Sequence, residues 1–172
     1  MRGRFVLAIA CVILCAGAAR RRPALRLPAS PVADGVMSFS IVAVPDGARL
    51  TDLGGSSAGI DLGTVSRVSG ARSNVEVQPK ATGFEVKTRF GIIIRDPAAR
   101  GRTGSLLAAI TVPTRYTIKL DGVQLGPAAR LVASALRPGT VTTHRLEIQV
   151  PADAREDEAA LLNAIQLTVV PE

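Results

Sequence analysis

Residues 83–95, GFEVKTRFGIIIR, alternate in character from one position to the next. The first set of alternate positions is largely apolar: Phe84, Val86, Thr88, Phe90, Ile92 and Ile94. The second set is largely polar: Glu85, Lys87, Arg89, Gly91, Ile93 and Arg95. Successive side chains of a β-strand point to opposite faces, whereas a helix would scatter both sets around its circumference. The pattern predicts a strand with one buried face and one face in water. Because so long a strand is unusual, we expect a bulge or a change of partner at Gly91.

Shorter β-type runs, separated by turn residues, extend over most of the remaining chain. The predicted strands are 36–44, 59–65, 74–78, 105–112, 116–120, 123–125, 130–136, 141–150 and 164–170. The Asp121-Gly122 pair between two of these runs is a strong hairpin signal, and residues 51–58 have the composition of a polar Gly/Ser loop. Residues 153–163 predict one short helix, with Asp153 as N-cap and Glu156 as its capping-box partner. Together these elements predict an all-β, immunoglobulin-like antiparallel β-sandwich of about eight to ten strands over residues 36–172.

The first eighteen residues have the composition of a secretory signal peptide. Arg2 and Arg4 precede an uncharged apolar run, and the small residues 16–18 suit cleavage. A membrane anchor is the alternative, but the run is short against the roughly 20 residues that span a bilayer. Both cysteines, Cys11 and Cys15, lie in this leader, which leaves lipidation open as a minor alternative. The cleaved chain would then be a secreted protein with no disulfide and no membrane span.

Residues 19–35 are rich in arginine and proline, and we expect a flexible, partly extended segment there. Leu25 and Leu27 could dock into a groove. Pro23, Pro28 and Pro31 surround them, however, and proline cannot donate a hydrogen bond to a strand ladder.

The formal charge of +7 is concentrated at the N-terminus. Six of the 21 basic residues precede Pro31, which leaves 15 basic against 14 acidic residues beyond it. Nucleic-acid binding needs a basic surface and aromatic side chains for stacking. The chain has no tryptophan and one tyrosine, and its charge is nearly balanced beyond the tail. The sequence therefore argues against a nucleic-acid partner.

Candidate catalytic and metal-binding residues are few. The single histidine, His144, falls on the apolar face of its predicted strand, where a packed histidine is the simplest interpretation. No G-x-S-x-G motif singles out a nucleophile for it, and one histidine without cysteine is too few ligands for zinc. The acidic group Asp153, Glu156, Asp157 and Glu158 lacks the alternating oxygens and the glycine of a calcium loop. We therefore expect no enzyme, no cofactor and no metal.

Three arginines, Arg95, Arg100 and Arg102, lie close together in sequence around the end of the long strand. A solvated loop is the simplest interpretation of such a group, and contact with an anion or a sugar acid is the alternative.

The pattern resembles the secreted pilins and spore-coat-protein-U-like β-sandwich proteins of bacteria. The resemblance rests on the leader, the first strand, the I-D-L-G-T-V-S stretch at Ile60–Ser66, the long central strand and the apolar last strand. It implies an immunoglobulin-like subunit that gives or receives a β-strand to build a surface fibre or coat. The chain departs from the group because its only cysteines lie in the leader and because Pro171 stands near the end of the last strand.

Two functional hypotheses follow. The first is a non-catalytic structural or assembly protein, secreted to the periplasm or the cell surface, which self-associates or binds a protein partner through edge strands. The second is a monomeric periplasmic or extracellular binding module, whose ligand is a glycan, a protein, or an anion that Arg95, Arg100 and Arg102 would hold.

Overall fold

The computed structural model describes residues 24–28, 37–52, 57–61, 75–98, 100–111, 114–154 and 164–172. This part of the chain is all-β, with antiparallel strands and no helix. Its strands, in chain order, are β1 (Ala24–Pro28), β2 (Ser38–Val42), β3 (Arg49–Asp52), β4 (Ser57–Asp61), β5 (Val75–Lys80), β6 (Gly83–Arg95), β7 (Gly104–Ile110), β8 (Thr117–Leu120), β9 (Val123–Gln124), β10 (Arg130–Leu136), β11 (Val141–Pro151) and β12 (Ile165–Pro171). No helix in these residues is long and apolar enough to cross a membrane.

The long strand β6 has the predicted bounds and organises the largest sheet. One of its edges pairs with β11 from Gly83 to Ile93. Its other edge pairs first with β5, as far as Thr88, and then with β2, from Gly91 onward. The predicted change of partner at Gly91 is therefore confirmed, although the register with β11 runs through Gly91 without a bulge.

Gly91 is required by the close approach of its neighbours. A Cβ atom there would lie 2.7 Å from Cγ2 of Val42, 2.9 Å from Cγ1 of Val44 and 3.0 Å from Cγ1 of Val141. Distances this short do not occur in well-packed proteins, so any larger residue would displace the valines.

The strands form three antiparallel sheets. The large sheet has the order β2-β6-β11-β8-β9, with β5 also on β6; the two smaller sheets have the orders β10-β7-β12 and β1-β4-β3. Buried side chains from all three sheets belong to one hydrophobic cluster, which includes Leu27, Ile60, Phe90, Leu106 and Leu167. The alternation in β6 has the predicted effect on its apolar face, since Val86, Phe90, Ile92 and Ile94 are buried in that cluster. The other face is only partly in water, because Glu85 is also buried.

Most other predicted strands are confirmed, with ends that differ by one or two residues where the structure describes both. The predicted hairpin is β8 and β9, whose turn residues have the positive φ angles that Asp-Gly favours: 50° at Asp121 and 80° at Gly122.

Two predictions of irregular structure are wrong. Ala24–Pro28 are not a flexible segment but a strand, which pairs with β4, and Leu27 is buried. Pro28 is tolerated because β1 is the end strand of its sheet order. The predicted loop over 51–58 is also too long, since β3 extends to Asp52 and β4 begins at Ser57. In both segments, pairing with a neighbouring strand overrides a composition that is poor in β-formers.

The predicted signal peptide over residues 1–18 lies outside the described residues. The predicted helix lies there too, apart from Asp153 and Ala154 at its start.

Candidate functional site

His144 is the centre of a buried polar cluster at one end of β11. Its side chain is 3% exposed, and its ring lies against Phe90, with 6.1 Å between the ring centroids. Nδ1 lies 2.6 Å from Oδ2 of Asp121, and Nε2 lies 2.9 Å from Oγ1 of Thr142. The predicted packing of the histidine in the core is thus confirmed, but both ring nitrogens have polar partners.

Backbone geometry brings these groups together. His144 and Thr142 are two residues apart on β11, so their side chains share its inward face. Asp121 follows Leu120, which is paired with Leu146 of β11. The carboxylate of Asp121 can therefore reach back along β11 to His144.

Asp121 fastens the β8–β9 turn to β11 through three contacts. Its Oδ1 accepts a hydrogen bond from the backbone N–H of Arg145 at 2.7 Å, and its own N–H donates to the carbonyl oxygen of Arg145 at 2.8 Å. The contact from Oδ2 to His144 is the third. Burial of the Asp121 carboxyl group acts to raise its pKa, but the hydrogen bonds from His144 and from the Arg145 N–H outweigh burial and hold the pKa below its ordinary value.

A carboxylate bonded to an imidazole, which is in turn bonded to a hydroxyl group, is the arrangement that activates a nucleophile in hydrolases. Here the hydroxyl group of Thr142 also lies 3.2 Å from the carbonyl oxygen of Ile92 on the neighbouring strand. The single hydroxyl proton is donated either to the carbonyl oxygen of Ile92 or to Nε2 of His144. Asp121 and Thr142 thus each have a backbone partner, and His144 is bound to Asp121. Together these contacts join β6, β8 and β11.

The three arginines of the predicted anion site differ in their surroundings. Arg95 is the exposed last residue of β6, and Arg100 is exposed in the loop that follows. The guanidinium group of Arg102 lies 3.1 Å from Oδ1 of Asp96. Asp96 also accepts hydrogen bonds from the backbone N–H groups of Ala98 and Arg100. The hydrogen bonds from Arg102 and from these N–H groups lower the pKa of Asp96. Arg102 thus has a carboxylate partner within this loop.

The outward face of the large sheet carries charged side chains of both signs on neighbouring strands. Four strands in register place Glu76 beside Lys87, Lys87 beside Glu147 and Glu147 beside Lys119. The neighbouring row contains Glu85, which is 6% exposed and lies 3.0 Å from Nζ of Lys87. Cross-strand neighbours of opposite charge stabilise a sheet. The charged side chains on this half of the face are therefore paired with neighbours of opposite charge.

One row of the same face has two like charges. Arg89 is the register partner of Arg145, and both are exposed. Nε of Arg145 lies 3.1 Å from Oε1 of Glu147 on its own strand. Like charges directly opposite each other destabilise a strand pair, so this row is a place where an anion would relieve repulsion.

The first strand pairs with β4 and lies near β12. β1 forms a ladder with β4, from Ala24 opposite Asp61 to Pro28 opposite Ser57. It also lies beside β12, with Cα atoms of the two strands within 8 Å of each other. The two strands belong to different sheets. Leu27 is 1% exposed and belongs to the core. The N-terminal strand is thus an integral part of the fold.

The strand at the end of the order β10-β7-β12, β10, is irregular. Its register with β7 shifts between Leu131 and Ala133 and again between Ala133 and Leu136. Ala135 has a φ angle of 53°, and its N–H donates to the side-chain carboxylate of Glu172. That carboxylate also accepts hydrogen bonds from the hydroxyl groups of Ser105 and Thr103, and these contacts lower its pKa. Bulges of this kind protect a sheet edge from pairing with another chain.

Sequence reasoning missed the two contacts that organise these regions. The pairing of Asp121 with His144 joins residues 23 positions apart and depends on the register of β8 against β11. The hairpin signal at Asp121-Gly122 located the turn but not the strand beside it. Glu172 binds the N–H of Ala135, which lies 37 positions earlier in the sequence, and no local pattern marks this contact.

Comparison with family models, with curated proteins and with solved structures gives no match to this chain.

Proposed function

We propose that this chain is a non-catalytic, secreted structural subunit of the periplasm or the cell surface. It assembles with other copies, or with a partner protein, by exchanging or adding a β-strand, as its resemblance to pilin-like and coat-like proteins implies. In this proposal the fold is a two-layer, immunoglobulin-like sandwich. The large sheet forms one layer, and the β10-β7-β12 and β1-β4-β3 sheets form the other. The shared core and the antiparallel pairing support this arrangement.

The observation that carries the proposal is the place of β1. This N-terminal strand is the end strand of the order β1-β4-β3, lies near β12 and buries Leu27 in the core. The place beside β4 would accept the equivalent strand of another copy, because backbone ladders form equally well within and between chains. After exchange, β1 makes the same contacts as before but with a neighbouring copy, and the copies are thereby joined into a chain.

A designed cysteine pair tests whether β1 is exchanged. Ala24 and Asp61 are register partners, and residues 19–172 contain no cysteine of their own. We would introduce A24C and D61C into residues 19–172, oxidise the protein at increasing concentration, and separate the products by denaturing electrophoresis without reductant. Exchange predicts a ladder of covalent oligomers whose share rises with concentration.

The two single-cysteine variants are the matched controls, since each can form at most a covalent dimer. A covalent monomer at every concentration, together with a constant monomer mass of the parent chain by light scattering, would contradict assembly by strand exchange.

A monomeric binding module is the second candidate, and the Arg89–Arg145 row favours it. Arg95 lies on the same face of the large sheet, three rows of alternate residues further along β6. An anionic glycan would relieve the repulsion between Arg89 and Arg145. Titration with sulfated and unsulfated forms of one glycan tests this function: equal binding to the two forms, or none, would contradict it.

A further inference from the structure

The tip of the β8–β9 hairpin is an Asp-Gly pair, which has a chemistry of its own. The backbone nitrogen that follows an aspartate can attack the carboxyl carbon of its side chain and form a five-membered succinimide ring. Glycine favours this attack, because it has no side chain to hinder the close approach. The part of the chain that the structure describes contains two such pairs, Asp46-Gly47 and Asp121-Gly122.

The two pairs differ in which of the reacting groups is restrained. The N–H of Gly47 donates to the carbonyl oxygen of Val44 at 3.0 Å, and a Cβ atom on Gly47 would lie 2.6 Å from a neighbouring backbone oxygen. Gly122 is exposed, and a Cβ atom on it would meet no heavy atom within 4 Å. The attacking residue is therefore bonded and tightly packed at Asp46-Gly47, but it lies in open surroundings at Asp121-Gly122.

At Asp121 the restraint is on the carboxyl group instead. Oδ2 lies 2.6 Å from Nδ1 of His144, and Oδ1 accepts a hydrogen bond from the N–H of Arg145 at 2.7 Å. Both oxygens are thus directed towards β11 and away from free rotation about the side-chain bonds. Burial acts to raise the pKa of Asp121, but the hydrogen bonds from His144 and Arg145 hold this pKa below its ordinary value. The carboxyl group therefore stays ionised, and an ionised group does not lose an oxygen as water.

We propose that Asp121 is a site of isoaspartate formation and that its contact with His144 keeps this site unreacted in the folded protein. In the reaction, the nitrogen of Gly122 gives up its proton and bonds to Cγ of Asp121, and one carboxyl oxygen leaves as water. Addition of one water then breaks the bond between that nitrogen and the main-chain carbonyl carbon of Asp121, which gives isoaspartate. Water is the only co-reactant, and the mass of the chain is unchanged at the end. His144 is a positioning residue here, since it acts through the carboxyl group of Asp121.

The modification would detach the turn from β11 permanently. In isoaspartate, Cγ belongs to the main chain and the free carboxylate is attached directly to Cα, so the main chain is longer and the side chain is shorter. The two-residue turn has no slack for an added atom, because Leu120 and Val123 pair on either side of it. The contacts with His144 and Arg145 are therefore lost together, and the carboxyl group that made them is part of the new peptide link.

The rate of isoaspartate formation at Asp121 tests the proposal. The protein would be incubated folded and in urea, digested with trypsin, and its peptides separated and weighed. Residues 120–130 form one tryptic peptide, in which Asp121 is the only acidic residue, and its isoaspartate form elutes separately at the same mass. We expect the reaction to be at least about tenfold slower in the folded chain, because the contacts of Asp121 must open first.

His144→Leu isolates the contact, since it removes the partner of Oδ2 but leaves an apolar side chain beside Phe90. Leu106→Ala is the matched control, because Leu106 is buried on β7 in another sheet and its loss lowers stability without changing the turn. Thermal unfolding would show that each variant is folded. We expect H144L to speed the reaction at Asp121 at least about fivefold and L106A to match the parent chain. The rate at Asp46 should be the same in all three proteins.

Equal acceleration by H144L and L106A would overturn the role of His144, because unfolding of the whole domain would then expose the site. Equal rates in H144L and the parent chain would overturn it as well. If H144L does not fold, the parent chain alone is decisive: equal rates at Asp121 in the folded and the urea-unfolded protein would overturn protection by the fold. Absence of isoaspartate at Asp121 in the unfolded chain would overturn the site itself. None of these rates depends on self-association, so this inference stands or fails separately from strand exchange.

Discussion

The carboxylate of Asp121 and the imidazole ring of His144 lie 2.6 Å apart, and through this contact the β8–β9 turn is fastened to β11. The histidine side chain is 3% exposed and that of the aspartate is 28% exposed, so solvent replaces the contact poorly if it is lost. A hydrogen bond in this setting contributes more than one on the surface, because Nδ1 of His144 left alone would remain buried and without this partner.

Asp121→Asn should lower the free energy of unfolding by about 1–3 kcal/mol, because the charge-assisted bond to His144 is lost while the side-chain shape is kept. Asparagine tolerates the φ angle of 50° at this position as well as aspartate does, so backbone strain does not enter. Urea unfolding measures the difference. Asp46→Asn is the matched control, since Asp46 has a φ angle of 54° in an exposed turn. Equal losses in the two variants would show that the contact with His144 contributes nothing specific.

The stability of the protein should fall as the solution is acidified below about pH 4. The folded-state pKa values of Asp121, Glu85, Asp96 and Glu172 all lie below the ordinary values for their side chains. The stabilisation that they give is complete above the unfolded-state pKa, which is 3.8 for Asp121. It is lost as the pH falls through the folded-state pKa, because the unfolded chain takes up the protons first.

Urea unfolding of the parent chain and of D121N, from about pH 6 to about pH 3, separates the contribution of Asp121 from that of the other carboxylates. The D121N curve should be shallower, and the two should converge at the acid end. Parallel curves would mean that the interactions of Asp121 do not depend on its ionisation.

Local signals were sufficient to predict β6 and β11 from their alternation, the β8–β9 hairpin from Asp121-Gly122, and β10 from its bounding turn residues. β1 lacks such a signal, since its sequence ALRLP is short and lies between prolines. It becomes a strand because β4 offers it a ladder and the core accepts Leu27. The contact between Asp121 and His144 was also beyond prediction, because a shift of one residue between β8 and β11 would have turned the histidine away.

Gly91→Ala should destabilise the protein by about 1–3 kcal/mol, because the new methyl group would overlap Val42, Val44 and Val141. The valine side chains are branched at Cβ and have few alternative rotamers, so they cannot easily move aside. Thermal or urea unfolding would measure the loss. Gly126→Ala is the matched control, since a Cβ at Gly126 would meet no heavy atom within 4 Å. A G91A protein as stable as G126A would contradict the close packing around this glycine.

Leu27→Ala should cost about 2–5 kcal/mol of stability, because it removes a buried side chain of the core and leaves a cavity beneath β1. A flexible N-terminal segment, as the composition of residues 19–35 suggested, would tolerate the same change. Leu131→Ala is the matched control: the substitution is the same, but Leu131 is 55% exposed, and its loss should change stability by no more than about 0.5 kcal/mol in dilute solution. Urea unfolding of residues 19–172 compares the two. If L27A were as stable as L131A, β1 would not contribute to the folded domain, and its place beside β4 would not support exchange between copies.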